Sequence, residues 1–468
     1  MEVCLVDRLH DVDAKKFGGS FYNRVRGILG MEITFRGEIA RIAPTQMLAA
    51  NLSFRRAVER FLVQRSASLD DLVAEGGLRA FPARQFLLPA SPDGTAVELF
   101  RGCQLVNPNS RGIRLRAAAL ASAIGTWMLR NLSTRGELPY KYWPSRGTVS
   151  PADNAIRQFL ASLALARLGK IRRSAEICDA ARRNLRFNLG RYFTNIGGGR
   201  GAIVERTGAK LGAAAVAALA IVENPSSGEF VEELEMLATG INSLTHDELG
   251  FRTFFFPEER DGENWNFYSG EALLFWAEAA RRGFGFVPSM ERCAAVFECC
   301  RARHYKEPNP AFVPWHTQAC ASFFAQTGRR GFADFALEIS DWLLPMQQWD
   351  GLPSDMRGRF YDPHRPEFGP PHAASTGAYM EGLAEAVALA RALGDQARAS
   401  AYELAIARGL RSLRQLQFRN DVDSCYISKK NRVLGALRTE VYDNSLRVDS
   451  AAHALLAAIK VLSPREFG

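Results

Sequence analysis

The stretch that decides the fold is LGAAAVAALAIV, residues 211–222. It is apolar on every side and built largely from small side chains, so as a helix it has no face to offer water. It is also far shorter than the roughly 20 residues a membrane span requires. Such a helix belongs inside a layer of other helices.

Working outward, the chain supplies that layer. From about Ser110 the helical period is almost continuous, and it predicts helices over 112–131, 152–168, 171–190, 209–222, 229–243, 270–282, 288–304, 315–327, 331–348, 374–393, 396–417 and 446–462. Their connections alternate between brief turns, such as Gly169-Lys170 and Gly394-Asp395, and longer segments rich in Gly, Pro and aromatics. Helices that follow a long segment carry small or apolar faces, as at Ala213, Ala214, Ala217, Ala451, Ala452 and Ala454. Their partners carry charge on one side, as at Arg182, Arg183 and Arg186. A buried inner ring inside a solvated outer ring accounts for this alternation. The expected fold is therefore mainly α: an (α/α)6 toroid over residues 110–468, preceded by a small N-terminal α+β domain over residues 1–109. In that first part, Glu32 to Arg36 and Glu38 to Ile42 alternate as strands around Gly37, and Pro44 opens a helix running to about Gln64. Further strands are expected over Arg84 to Leu88 and Val97 to Val106.

Composition narrows the functional classes. The formal charge of +9 comes from arginines spread along the chain, with no basic tail, so no nucleic-acid partner is indicated. The first ten residues scatter charges and lack the apolar core of a signal segment, and the eight cysteines sit mostly within apolar helical patterns. Reduced thiols and a cytoplasmic location are expected. The phosphate-cradling G-x-x-x-x-G-K-[ST] loop, the G-x-S-x-G elbow and the H-E-x-x-H zinc motif are all absent. His316 and Cys320 lie one helical turn apart, but a metal site needs more converging ligands, so neither metal nor cofactor is expected. Oligomeric state is left open.

Six helical hairpins joined by Gly-aromatic segments resemble the six-hairpin glycosidase superfamily, which also includes polysaccharide lyases and sugar epimerases. The resemblance covers residues 110–468 and lies in the architecture. The closing stretch from Asp443 through Arg447 and Asp449 to His453 is similar to an Arg-aromatic-Asp-…-His segment near the end of glucuronyl C5-epimerases, with Val448 in place of the aromatic. The resemblance implies a carbohydrate-active enzyme.

In such a toroid the inner helices run parallel, so the loops before them gather at one mouth, where helix N-termini suit anionic groups. The candidates are the polar residues at those positions. Tyr140, Tyr142, Trp143, Arg146, Asp153 and Arg157 come from the first segment, where Ser150 also reads as a plain helix cap. Asn266, Tyr268 and Glu271 come from another, and Trp315 and His316 from the next. A long Pro/Gly segment, reading as a substrate-binding lid, supplies Arg359, His372, Tyr379 and Glu381, and the last supplies Asp443, Asn444, Arg447, Asp449 and His453. Paired carboxylates drawn from Asp153, Glu271, Glu381 and Asp449 point to glycoside hydrolysis of an anionic, uronate-like glycan, with the arginines on its charge. A second reading has Tyr, His and Arg surround one sugar carbon in a lyase or epimerase. A third is a non-catalytic toroid that binds a peptide or glycan. Structural alternatives stand beside each role: Glu271 as a partner of the helix dipole, His316 as a core histidine, and Asp449 with His453 as a buried pair.

Overall fold

The computed structural model describes residues 2–17, 21–88, 94–108, 112–206, 208–248 and 250–467. The expected division between residues 109 and 110 lies outside the described residues.

The N-terminal region is a six-stranded antiparallel sheet. Its strands are β1 (Glu2–Val6), β2 (His10–Val12), β3 (Leu29–Phe35), β4 (Glu38–Ile42), β5 (Gly76–Leu87) and β6 (Val97–Leu99). The long β5 pairs with β1, β2, β3 and β6. Strands β3 and β4 form a hairpin whose turn residues, Arg36 and Gly37, both have positive φ (47° and 81°), the hand that matches strand twist. Three short helices, α1 (Pro44–Ala49), α2 (Phe54–Val63) and α3 (Leu69–Glu75), complete the region, and α1 and α2 correct the expectation of one continuous helix over this stretch. The break lies at Asn51, which is left-handed at φ 50°, and Ser53 restarts the helix by accepting from the Arg56 N–H. Met31, Ile33 and Phe35 pack with Met47, Phe54, Phe61 and Leu72 into a core of their own.

Among the described residues that follow, twelve α-helices are joined by short strands and turns: α4 (Ile113–Asn131), α5 (Ala155–Arg172), α6 (Ala175–Tyr192), α7 (Leu211–Glu223), α8 (Val231–Ser243), α9 (Trp265–Arg281), α10 (Met290–Lys306), α11 (Val313–Thr327), α12 (Arg330–Leu343), α13 (Ala373–Ala392), α14 (Gln396–Leu416) and α15 (Val448–Leu462). Contacts run α5 to α7, α7 to α9, α9 to α11, α11 to α13, α13 to α15, and α15 back to α5, so the six inner helices close a ring. The other six pack outside it: α6 on α5, α8 on α7, α10 on α9, α12 on α11, α14 on α13 and α4 on α15. This is an (α/α)6 toroid. Burial explains who sits where: every residue of α7 is buried, whereas α6 buries only a stripe through Ala180, Ala181, Asn184, Leu185, Asn188, Leu189 and Tyr192.

The two ends of the barrel differ. At the C-terminal ends of the inner helices, ion pairs fill the interior: Glu223 meets Arg167 (3.4 Å), Lys170 (3.0 Å) and Arg282 (2.6 Å), and Arg465 reaches Glu278 (2.7 Å) and Glu385 (2.9 Å). Cations at these helix ends also suit the dipoles. The N-terminal region docks toward the other end. Asn51 Nδ2 donates to Asp443 Oδ1 (3.0 Å), Asn444 Nδ2 donates to the Leu48 carbonyl (2.7 Å), and Arg101 pairs with Asp355 (2.6 Å) where both are buried. No helix among the described residues is long and apolar enough to cross a membrane.

Candidate active site

All six inner helices begin around one cavity of about 430 Å³. Each brings side chains from its start: Asn154 and Arg157 for α5, Lys210 for α7, Tyr268 and Glu271 for α9, Pro314 and Trp315 for α11, His372 and Tyr379 for α13, and Arg447, Asp449 and His453 for α15. The segment between α12 and α13 closes one side with Phe360, Tyr361, Phe368 and Pro370.

On the α15 wall, His453 Nδ1 lies 2.7 Å from Glu381 Oε1, a residue of α13 set just behind the cavity. A carboxylate on Nδ1 holds the proton there, which leaves Nε2 as the nitrogen that can act on a ligand. The Trp315 indole meets the imidazole edge to face at 6.0 Å. His372 uses its ring differently: Nδ1 accepts from the Ser375 backbone N–H at 3.0 Å, capping α13. An accepting Nδ1 places the proton of the neutral ring on Nε2. Burial, joined by the nearby Arg447 and Arg157 charges, pushes this histidine down to about 4, so it is neutral at pH 7.

The two arginines are committed in part. Arg447 grips Asp449 with two nitrogens, Nε at 3.0 Å, and Arg157 Nε reaches the same carboxylate at 3.0 Å. A further nitrogen of Arg157 donates to the Tyr140 hydroxyl. Burial alone would raise Asp449, but the two guanidiniums outweigh it and hold the carboxyl below its ordinary value. On α9, Glu271 is buried with no ion-pair partner, and Oε2 has no hydrogen-bond partner among the described residues. Burial, opposed only by the Lys210 charge, pushes it up to about 8, so it carries its proton at neutral pH. Two carboxyls of one cavity thus hold opposite protonation states.

The structure brings Arg157, Tyr268, Glu271, Trp315, His372, Tyr379, Arg447, Asp449 and His453 together in the lining. It corrects the expectation that the remaining candidates face the cavity. Asp153 turns away, accepting from Gln158 (2.8 Å) and from the Tyr192 hydroxyl of α6 (2.7 Å). His316 lies in the wall, stacked on Phe312 with Nδ1 2.9 Å from that residue's carbonyl, and burial lowers it to about 3. Glu381 lies behind His453 and bonds its Nδ1, and the Tyr140 hydroxyl accepts from Arg157; neither residue is in the lining. Tyr142 and Trp143 lie in strand Lys141–Trp143, with Tyr142 under Arg432 and Trp143 under Arg146. Arg359 is spent on buried Glu440 (2.8 Å), Asp443 and Asn444 on the N-terminal region, and Asn266 lies half-buried outside the lining. Ser150 is not the cap of α5; Asn154 is, accepting from the Arg157 N–H at 3.2 Å. The lining also contains Lys210 and the lid aromatics Phe360, Tyr361 and Phe368, which are not among the residues expected from the sequence. Lys210 was within reach of the same rule, since it immediately precedes the inner helix that decides the fold.

Among the described residues no cluster of three or more His, Cys, Asp or Glu side chains is placed to hold a metal ion. No protein-family model matches the chain, and a search of curated proteins returns no match. Solved structures do match. A D-mannose isomerase aligns at TM-score 0.56 and 12% identity over 76% of this chain and 100% of its own. An inactive variant of an α-1,6-mannanase of Salegentibacter, in complex with α-1,6-mannotriose, aligns at 0.51 and 9% over 75% and 99%. An unsaturated glucuronyl hydrolase specific for heparin aligns at 0.50 and 11% over 75% and 96%. What this chain shares with these enzymes is the fold, the (α/α)6 toroid of six-hairpin proteins.

Proposed function

We propose that the chain is a carbohydrate-active enzyme that moves a proton on a small sugar, as an isomerase or epimerase does. The observation that carries this reading is the Glu381–His453 pair opening on the cavity beside a neutral His372. Fixed by Glu381, His453 Nε2 takes the proton from the carbon beside an open-chain sugar's carbonyl. The C–H electron pair becomes the C=C of an enediolate, and His372 Nε2–H donates to the oxygen on which negative charge develops. In isomerisation the proton of the adjoining hydroxyl passes to the former carbonyl oxygen while His453 returns its proton to the neighbouring carbon; epimerisation requires the same carbon to be protonated on its opposite face. A cavity of about 430 Å³ lies within the range of about 300–1,000 Å³ common for small-molecule sites, and the aromatics Trp315, Tyr268 and Tyr379 offer stacking surfaces for sugar faces. The resemblance to a D-mannose isomerase, a mannanase and a glucuronyl hydrolase supports a sugar as the ligand class.

The uronate-like substrate expected from the arginines has weaker support, because Asp449 already answers both of them. One observation favours hydrolysis as a second reading: a protonated Glu271 facing a cavity that also holds an ionised Asp449 is the division of labour of an acid and a base. The two readings separate in deuterated water. Hexoses, pentoses and hexuronates incubated with the protein are followed by proton NMR for loss of the C–H signal beside the carbonyl. Exchange in the wild type that falls by about 100-fold or more in His453→Ala supports proton transfer. Release of reducing ends from oligosaccharides, abolished by Glu271→Gln and without any exchange, would replace it with hydrolysis.

A further inference from the structure

Within the ring, α9 lies three helices from α15, so Glu271 faces His453 across the cavity. Glu271 lines the site, and its Oε2, buried against α7, has no hydrogen-bond partner among the described residues. A buried polar atom left without a partner calls for an explanation, and a carboxyl at the wall of a cavity has one in a bound ligand. The carboxyl has no room to retreat. A Cβ on Gly212 would lie 2.2 Å from Oε2, which shows that the group rests directly on the bare backbone of α7, and the Tyr268 ring is packed over the same glycine. The neighbouring wall, α11, presents Trp315 and Pro314 to the cavity and no polar partner for Glu271.

We propose that the Glu271 carboxyl is the binding group for a substrate hydroxyl, so that the ligand is a neutral, hydroxylated sugar lying across the barrel with its uncharged end against α7 and α9. This rests on the reading of the cavity as a sugar site, and it names which part of the sugar each wall holds. The α13 and α15 wall carries the reacting carbon, while Glu271 fixes the far end by giving and accepting one hydrogen bond. Kept in its acid form, the carboxyl does both without placing a charge against the ligand.

The test is isothermal titration of the intact protein with D-mannose, D-mannitol, D-glucitol and D-glucuronate at pH 6.5, for the wild type, Glu271→Gln and Glu271→Met. Methionine fills the space without a strong hydrogen-bonding group, and it removes an orphaned carboxyl from the wall, so this variant is expected to fold; circular dichroism checks it. At least one neutral probe should bind the wild type. Affinity should fall by about 10-fold in Glu271→Met and by less than about 3-fold in Glu271→Gln, since one good hydrogen bond is worth about a factor of ten. Binding unchanged in Glu271→Met, or binding of D-glucuronate in preference to every neutral probe, would overturn the proposal, as would no binding at all. Binding that depends on Glu271 while no C–H exchange occurs would leave this inference standing and remove the proton-transfer reading.

Discussion

Glu271 sets the pH behaviour of the site. In the unfolded chain its carboxyl titrates near the ordinary glutamate value of 4.5, whereas burial in the folded protein raises it to about 8. Between these values the folded state binds more protons than the unfolded state, so stability from this group is intact below about pH 4.5 and declines as pH rises through 8. Wild type and Glu271→Gln compared by urea unfolding at pH 5 and pH 9 should therefore shift relative to one another in favour of the variant at the higher pH, by on the order of 4 kcal/mol. Equal differences at both values would mean that the carboxyl is not neutral in the fold. A second expectation concerns His453. Glu381→Gln keeps the shape but removes the negative charge at Nδ1 and lets an amide N–H compete for that nitrogen, and should lower kcat by about 100-fold with KM little changed and the circular dichroism spectrum intact.

Among the elements, α13 ties chemistry to architecture, because His372 both lines the cavity and caps the helix through Nδ1. His372→Asn keeps a capping oxygen and His372→Ala does not. Both should lose turnover, but only alanine should also lose about 1 kcal/mol of stability in denaturant titration. How legible such elements were depended on their ends. The start of α9 was expected at Gly270 and lies at Trp265. Asn264 to Tyr268 are weak helix formers by themselves, and packing decides the matter, with Trp265 stacked on Phe312 at 6.0 Å. The same effect hid the cap of α5, where both Ser150 and Asn154 are good caps by type and only the tertiary structure selects Asn154.

At the scale of the whole molecule, the ring was legible because burial writes itself into side-chain size: α7 and α15 could only be inner helices. On the inner helices the sequence places Arg157, Glu271, Tyr379, Asp449 and His453 in the site, and also Asn266 and His316, which lie outside the lining. In the segments before them His372 and Arg447 reach the cavity, whereas Arg359, Asp443 and Asn444 do not. Strands Arg438–Glu440, Asp443–Arg447, Lys141–Trp143 and Thr148–Val149 pair into a small antiparallel sheet, and this sheet turns Asp443 and Asn444 toward the N-terminal region rather than the cavity. Position along the chain does not reveal that pairing. The sealed end is a matter of stability alone: Arg465→Ala leaves Glu278 and Glu385 short of a partner in a buried network and should cost roughly 3 kcal/mol in urea unfolding, with kcat unchanged at a temperature where the variant is folded.

The most direct measurement is a crystal structure of the protein with a hexitol bound. The account predicts one sugar alcohol inside the ring, with hydroxyls within hydrogen-bond distance of His453 Nε2 and the Glu271 carboxyl at once. A hexitol seated elsewhere on the molecule, with this cavity empty or closed by its own side chains, would contradict it.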